Sequence, residues 1–178
     1  MKKIALLLVA FLFVFVFRPA QAQVAKRDRY LNAGLGLGVY NAGGIPIGAS
    51  LEVGLKDKIS VGGFADYVRY GYRSLGYKWN YNFIYFGGRA SYHLGNLLKE
   101  IGMSEEDKFD PYAGVSIGIR TVSYNDHTGV EDYVNPYSTG IIMGLHLGTR
   151  YMLSDKIGGF GEVGYGVSAL RLGLTVKL

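Results

Sequence analysis

The strongest constraint on this chain is a strict alternation of apolar and polar residues. The stretch ALRLGLTVKL, residues 169–178, places an apolar side chain at every second position from Leu170 to Leu178. Successive side chains of a β-strand point to opposite faces, so this pattern predicts a strand with one apolar and one polar face. A terminal strand with an uncovered face and an unpaired edge would aggregate. Another part of the fold or its surroundings must therefore cover the face, and another strand must pair with the edge.

Seven earlier segments show the same alternation. They are residues 31–40, 46–55, 59–71, 80–94, 113–120, 141–150 and 157–166. Together with the last stretch they predict eight strands, most of them near the ten or so residues that a tilted membrane strand needs. Two near-identical turns, 55–59 and 153–157, follow the second and sixth strands, and a polar segment with a short helix near 97–103 is expected after the fourth.

The first 22 residues are predicted to be a signal peptide. Lys2 and Lys3 precede an apolar run at 4–17, and the small residues Ala20 and Ala22 follow at the spacing of a cleavage site. The apolar run is short for the alternative, a transmembrane helix of about 20 residues. We therefore expect cleavage after Ala22 and one β-barrel domain over residues 23–178.

Composition excludes several other classes. The chain has no cysteine, so neither a lipoprotein anchor nor a disulfide framework is expected. Cleavage would remove Lys2, Lys3 and Arg18 and no acidic residue, which lowers the net charge from +5 by 3 to +2. The basic balance therefore comes partly from the leader, and we predict no nucleic-acid partner.

The content of the polar strand faces distinguishes a soluble barrel from a membrane barrel. These faces consist largely of glycine and serine, as at Gly34, Gly36 and Gly38, with isolated charges. A water-facing surface would carry many more Lys, Glu, Asp and Gln residues. The inverse arrangement fits, because the lumen of an eight-stranded barrel is filled by side chains and lipid covers the apolar face. We predict an all-β, eight-stranded antiparallel up-and-down transmembrane β-barrel whose last strand pairs with its first.

Aromatic residues are concentrated near the predicted strand ends. The set near the outer end is Tyr40, Tyr67, Tyr70, Tyr72, Trp79, Tyr81, Tyr124, Tyr137 and Tyr165, and the set near the periplasmic end is Tyr30, Tyr92, Tyr112 and Tyr151. Two aromatic belts flanking an apolar band are typical of the two membrane interfaces. A general preference of tyrosine for strands explains its abundance but not this placement.

Three motifs, FDPYAGVSIGI, LSDKIGGFGEVGYG and SALRLGLTVKL, together with the leader, resemble the small outer-membrane β-barrel proteins of Gram-negative bacteria, the OmpA/OmpX-like eight-stranded family. The resemblance implies Sec-type export, residence in the outer membrane as a monomer, and contact with outer-membrane lipid and lipopolysaccharide. It also implies recognition of the last strand by the barrel-assembly machinery, although Leu178 stands where phenylalanine is commoner. These motifs indicate an architecture and not a particular activity.

Charged residues on the lumen face predict a structural polar network. Its members are Glu52, Asp66, Arg89, Arg120, Arg150, Glu162 and Arg171, with Lys177 near the chain end. The last hairpin places Glu162 close to Arg171, which predicts an ion pair, and Asp66 and Arg89 lie on neighbouring strands. Buried charges need partners, which favours a plugged lumen. A narrow channel lined by the same charges is the alternative.

An enzyme that modifies lipid A is a further alternative, because some eight-stranded barrels have that activity. It would need a serine and a histidine with a carboxylate within reach, near the outer leaflet. His93 shares a face with Ser91 but lies near the periplasmic end, as does His146, and His127 lies in an outer loop beside Asp126. We predict no catalytic residue, no cofactor and, from three scattered histidines, no metal site.

Three basic residues near the outer end of strands three and four are candidates for lipopolysaccharide contacts. Arg69, Arg73 and Lys78 suit phosphate groups. The alternative is that these are ordinary basic residues of a loop, without a specific partner. The loops at 72–79 and 125–135 are the first candidates for an external partner. The sequence thus predicts a structural or surface-interaction role.

Overall fold

The computed structural model of the protein describes residues 24–39, 43–56, 58–74, 77–95, 108–126 and 138–178. The predicted signal peptide, the predicted short helix at 97–103 and His127 lie outside these residues. The strands are β1 (Arg29–Val39), β2 (Ile47–Lys56), β3 (Ile59–Ser74), β4 (Tyr77–His93), β5 (Phe109–Asp126), β6 (Gly140–Met152), β7 (Ile157–Tyr165) and β8 (Ser168–Lys177). Among the described residues, no helix combines the length and apolarity needed to cross a membrane.

The eight strands form a closed antiparallel barrel in sequence order, as predicted. β8 pairs with β1 from Tyr30 opposite Lys177 to Val39 opposite Ser168. This pairing closes the barrel and satisfies the edge of the last strand. Its apolar face points outward, where 63% of the surface of Leu174 is exposed.

The barrel is inverted relative to a soluble protein. Large aliphatic side chains cover the outer wall, and the exposed fraction reaches 77% at Ile141. The buried interior instead contains charged or polar residues from all eight strands, including Asn32 from β1 and Arg171 and Thr175 from β8. An apolar wall of this kind is stable only against lipid, so the fold is that of a transmembrane β-barrel.

The wall is taller on one side than on the other. β3, β4 and β5 have 16, 17 and 18 residues, whereas β7 and β8 have 9 and 10. The sequence predicted shorter third, fourth and fifth strands because alternation fades towards their outer ends. Cross-strand pairing continues there nonetheless, up to Ser74 opposite Tyr77.

The predicted aromatic belts are only partly correct. Tyr67 and Tyr165 are exposed on the wall towards the outer side, and Tyr92 and Tyr151 are exposed towards the periplasmic side. The side chains assigned to the belts but found buried inside the lumen are Tyr30, Tyr81 and Tyr112. The position of a residue along its strand predicted where it lies along the barrel axis. Whether that position is odd or even in the alternation decides whether the side chain faces the lumen or the lipid.

Two kinds of packing fill the lumen. The outer half contains an apolar cluster of Phe64, Val68, Tyr81, Phe83 and Tyr85. The Phe83 ring centroid lies 6.2 Å from that of Tyr81 and 6.3 Å from that of Tyr85. The sequence analysis assigned the filling of the lumen to polar side chains, so this cluster is an addition. The polar side chains lie beneath it.

Candidate functional site

The candidate site is the group of charged side chains buried beneath the apolar cluster. Six of the seven predicted network residues are buried in the lumen: Glu52, Asp66, Arg89, Arg150, Glu162 and Arg171. They come from six different strands, β2, β3, β4, β6, β7 and β8. On each strand these residues occupy positions whose side chains point inward, so the six side chains meet in one interior space.

Glu52 is the centre of the network. Its Oε1 accepts a hydrogen bond from Arg150 Nη2 at 2.7 Å, and Arg89 Nε lies 3.4 Å from the same oxygen. Asn32 Nδ2 donates to Oε1 at 3.2 Å and Ser60 Oγ to Oε2 at 2.8 Å. Two guanidiniums and two neutral donors thus surround this carboxylate, which is fully buried. Such a set of donors holds a carboxylate in its ionised form.

The Arg150 side chain is fully buried in the lumen, with 0% exposure. Its Cζ lies 4.8 Å from the ring centroid of Tyr30 and 4.7 Å from that of Tyr112, so the guanidinium is sandwiched between two aromatic faces. Nη1 also donates to Asp110 Oδ2 at 3.3 Å. One side chain thereby joins β1, β2 and β5 to β6.

Arg89 and Glu162 form a second ion pair. Arg89 Nη2 lies 2.5 Å from Glu162 Oε1, which also accepts from the Tyr112 hydroxyl at 2.9 Å. The same Arg89 nitrogen lies 2.9 Å from His146 Nε2, and Ser91 Oγ lies 3.1 Å from that ring nitrogen. Ser91 therefore contacts His146 and not His93, the histidine that the sequence placed on its face.

The predicted ion pair between Glu162 and Arg171 is wrong, although the register is as expected. The two residues are directly opposite each other on β7 and β8. Arg171, however, forms its ion pair with Asp66 of β3, while Glu162 takes Arg89. In the β3–β4 register Asp66 lies opposite Tyr85. In a narrow barrel, long side chains reach across the lumen, so adjacent strands do not determine the partners.

A chain of hydrogen bonds at the periplasmic end was not predicted. His93 Nδ1 lies 2.9 Å from both carboxylate oxygens of Asp110, and His93 Nε2 lies 2.9 Å from Ser60 Oγ. Asp110 was missed because it was assigned to the polar connection before β5. Its place directly before a proline and an alternating run was the available signal. Ser60 was missed because a lone serine on a strand has no distinguishing pattern.

The order Ser60–His93–Asp110 has the connectivity of a nucleophilic triad, but its surroundings differ. Ser60 has 0% exposure, and its hydroxyl donates to the Glu52 carboxylate. His93 and Asp110 are buried as well, at 3% and 0% exposure.

Two other predicted lumen charges lie apart from the network. Arg120 is partly exposed towards the outer end, where its Nε and Nη2 donate to the carbonyl oxygen of Ser138 at 3.3 and 3.0 Å. At the periplasmic end Lys177 Nζ lies 2.8 Å from Asp28 Oδ2. Both residues stabilise the ends of the barrel locally.

A small cavity of about 50 Å³ adjoins the network. Polar residues that line it include Asp66, Arg89, Ser116, His146, Glu162 and Arg171. A cavity of this volume accommodates a few water molecules, since one water needs roughly 10–15 Å³ on this measure. Within the described residues, no three His, Cys, Asp or Glu side chains are placed to share a metal ion.

The three basic candidates lie on the tall side of the wall. Arg69 is exposed on the outer face, opposite Asn82 of β4. Asn82 Oδ1 accepts a hydrogen bond from the Tyr67 hydroxyl at 2.7 Å. Further out, the backbones of Arg73 and Lys78 are directly paired, while their side chains lie outside the description. The strand register thus brings all three positions to the outer part of one hairpin.

Comparisons with known proteins agree with the architecture. Neither a protein-family model nor a curated protein sequence matches the chain. The N-terminal β-barrel domain of Pseudomonas aeruginosa OprF is similar in structure, with a TM-score of 0.50 and 12% identity over 86% of this chain and 98% of that one. Ail, the attachment invasion locus protein of Yersinia pestis, has a TM-score of 0.48 and 9% identity over 86% and 95%. A de novo designed transmembrane β-barrel has a TM-score of 0.47 and 17% identity over 88% and 99%. At such low identity, the likeness to OprF supports the eight-stranded barrel fold alone.

Proposed function

We propose that this protein is an integral outer-membrane β-barrel of a Gram-negative bacterium with a structural or surface-interaction role, and that its lumen is sealed by the buried network. The single observation that supports the seal is the position of Arg150. This side chain is fully buried in the lumen, where Glu52, Asp110 and two tyrosine rings contact it.

The energetics of the network favour a closed lumen. Each of the three buried arginines has a carboxylate partner, and the rings of Tyr30 and Tyr112 occupy the space beside them. Opening a water path through this region would separate charges that are paired in a poorly solvated interior. Eight strands leave little cross-section beyond what these side chains fill.

The proposed location rests on the wall and on the leader. The outer surface is apolar across the middle of the strands, and the sequence begins with a predicted signal peptide. Export followed by insertion of a barrel by the assembly machinery leads to the outer membrane. We expect a monomer, because closure leaves no strand edge in the membrane-spanning part of the wall for a second copy to pair with.

Lipopolysaccharide is the proposed surface partner on the tall side of the barrel. Arg69 is exposed beside polar residues where the outward face of β3 and β4 ceases to be apolar, and the backbone pair of Arg73 and Lys78 lies beyond it. Guanidinium and ammonium groups at that height would meet the phosphates of the outer leaflet.

Single-channel recording of the refolded protein in a planar bilayer tests the seal, after heat-modifiable gel migration has confirmed a folded barrel. A silent membrane is expected. Replacing the central side chain, as in Arg150→Ser, should then produce leak currents, whereas the rim variant Lys177→Ser should stay silent. Discrete, reproducible steps from the unaltered protein would contradict the sealed lumen.

A narrow channel is the second candidate, and the cavity beside Asp66 and Arg171 is the observation that favours it. In that case conductance steps would depend on these two charges. Lipid A modification is not proposed, because Ser60, Ser91 and His93 are all buried in the lumen. A change in the lipid A species of cells that express the protein would overturn this assignment.

A further inference from the structure

The two histidines in the lumen have hydrogen-bond partners that require opposite protonation states. His93 lies between Ser60 and Asp110, and His146 lies between Arg89 and Ser91. An imidazole nitrogen accepts a hydrogen bond only when it carries no proton. The identity of each partner therefore determines which ring nitrogens are protonated.

On one side of His93, the partner is a serine that has already used its proton. Ser60 has one hydroxyl hydrogen, and its Oγ lies 2.8 Å from Glu52 Oε2. Glu52 is an ionised carboxylate beside two guanidiniums, so it only accepts. The Ser60 hydrogen must then point to Glu52, and the 2.9 Å contact between Ser60 Oγ and His93 Nε2 requires a proton on the histidine nitrogen.

On the other side of His93, the partner is a carboxylate. Nδ1 lies 2.9 Å from both oxygens of Asp110, and Asp110 also accepts from Arg150 Nη1 at 3.3 Å. Two acceptors at 2.9 Å would repel each other, so this contact also needs a proton, and the Arg150 guanidinium beside Asp110 favours that proton on Nδ1 rather than on the carboxylate. With protons on both Nδ1 and Nε2, His93 is an imidazolium.

The charge balance of the lumen supports the same state. The buried carboxylates of the described residues are Glu52, Asp66, Asp110 and Glu162, and the buried guanidiniums are Arg89, Arg150 and Arg171. Four negative and three positive charges leave one negative charge uncompensated, and an unpaired charge in a poorly solvated interior is costly. A protonated His93 is the fourth cation. Lys177 and Asp28, at the periplasmic end, compensate each other and do not alter this count.

His146 shows the opposite case. Its Nε2 lies 2.9 Å from Arg89 Nη2, which can only donate, and 3.1 Å from Ser91 Oγ. Nε2 must therefore be an unprotonated acceptor, and the single ring proton lies on Nδ1. His146 is thus a neutral histidine a short distance from the charged one, and it provides an internal control.

We propose that the lumen contains a proton-binding site at His93, and that the bound proton is a structural cation of the network. The groups that face His93 are Glu52 through Ser60 from β2 and β3, Asp110 and Tyr112 from β5, and Arg150 through Asp110 from β6. When the proton leaves, the Ser60 hydroxyl must turn from Glu52 to His93. Glu52 then loses a donor, and the network has one uncompensated negative charge.

Nitrogen NMR of histidine side chains tests this site in the folded protein, labelled with 15N-histidine and held in lipid nanodiscs near neutral pH. We expect both ring nitrogens of His93 in the protonated range and only one for His146. His93→Gln and His146→Gln assign the signals. A neutral imidazole at position 93 would overturn the proposal. Because the spectrum reports protonation whether or not the barrel conducts, this result is independent of the proposed seal.

Discussion

Arg150 on β6 and Glu52 on β2 belong to strands on opposite sides of the eight-stranded ring, and their side chains meet inside the lumen with 2.7 Å between Nη2 and Oε1. The pairs Arg89–Glu162 and Arg171–Asp66 also join non-adjacent strands. These contacts connect strands across the lumen, whereas backbone pairing links neighbouring strands only. The strand pairing that closes the barrel and the ion pairs that cross its lumen are therefore different interactions.

Removal of the Arg150 guanidinium should destabilise the barrel strongly. Arg150→Met keeps much of the side-chain volume but removes the buried ion pairs of this residue with Glu52 and Asp110, and breaking a buried pair in this way costs about 3–5 kcal/mol. Urea unfolding of the refolded protein in detergent measures the loss. Lys177→Met, at the more exposed pair with Asp28, should cost no more than about 1 kcal/mol. Equal effects of the two variants would contradict the central role of Arg150.

The exchange of partners between Arg171 and Glu162 makes a second, specific prediction. Arg171→Leu should destabilise the barrel because it leaves the carboxylate of Asp66 buried and unpaired. Adding Asp66→Asn should recover part of the lost free energy of unfolding, whereas adding Glu162→Gln should not. A double-mutant cycle in urea measures this coupling. Rescue by Glu162→Gln would instead indicate that Arg171 pairs with Glu162, as the register suggests.

Gly48 allows the Asp66 carboxylate to lie against the wall of the lumen. A Cβ at Gly48 would overlap Asp66 Oδ1 and lie 2.6 Å from the carbonyl oxygen of Ala65, which is backbone and cannot give way. Gly48→Val should therefore sharply reduce the fraction of folded protein in a heat-modifiability gel. The matched control is Gly63→Val on the outward face, where the nearest atom would be 3.4 Å away. Similar folding of both variants would argue against this packing.

A charged side chain on the lipid-facing wall should destabilise the barrel strongly in the middle of a strand and only slightly at the end of the strand. Leu145 lies within β6 with its side chain exposed, so Leu145→Arg should destabilise the barrel by about 2–4 kcal/mol in a bilayer. Leu153 follows β6 in a turn, and Leu153→Arg should cost about 0–1 kcal/mol. Unfolding titrations in lipid vesicles provide the comparison. Equal costs would mean that the apolar band is not placed in the hydrocarbon as proposed.

Lipopolysaccharide binding should depend on the basic residues in the outer part of the β3–β4 hairpin. Arg69→Glu reverses an exposed charge on the outer wall, so it should weaken retention of lipopolysaccharide by the purified barrel. Lys156→Glu makes the same change in the turn between β6 and β7, at the opposite end, and should have little effect. Co-purified lipopolysaccharide, measured per mole of protein, is the readout. An unchanged amount in Arg69→Glu would contradict a role of Arg69 in lipopolysaccharide binding.

Local pattern was sufficient to predict the strands and their order, but it was less reliable at their ends. All eight predicted strands occur, and the closing pair of β1 with β8 is present. The outermost residues of β3 and β4 and both ends of β5 lie beyond the predicted strand bounds, where the alternation fades. Val68 and Phe83 lie inside the predicted strands but are apolar on the inward face, and this interruption of the pattern concealed the apolar cluster in the outer lumen.

The candidate site was predictable as a set of residues but not as a set of contacts. Parity along each strand placed Glu52, Arg89, Arg150 and Glu162 in the lumen, where they lie. The contributions of Ser60, His93 and Asp110 were not predicted, because each is a single polar residue without a motif. The distances between them depend on where β3, β4 and β5 meet inside the closed ring.

The sequence by itself determined which side chains face lipid and which face the lumen, because an alternation of period two is a local property of each strand. It also predicted the pairing of the last strand with the first, which the structure contains. Only the tertiary structure decided which charges pair and which side chains surround each histidine. Those outcomes depend on the approach of strands that are not adjacent, such as β2 and β6, and the register between neighbouring strands does not specify that approach.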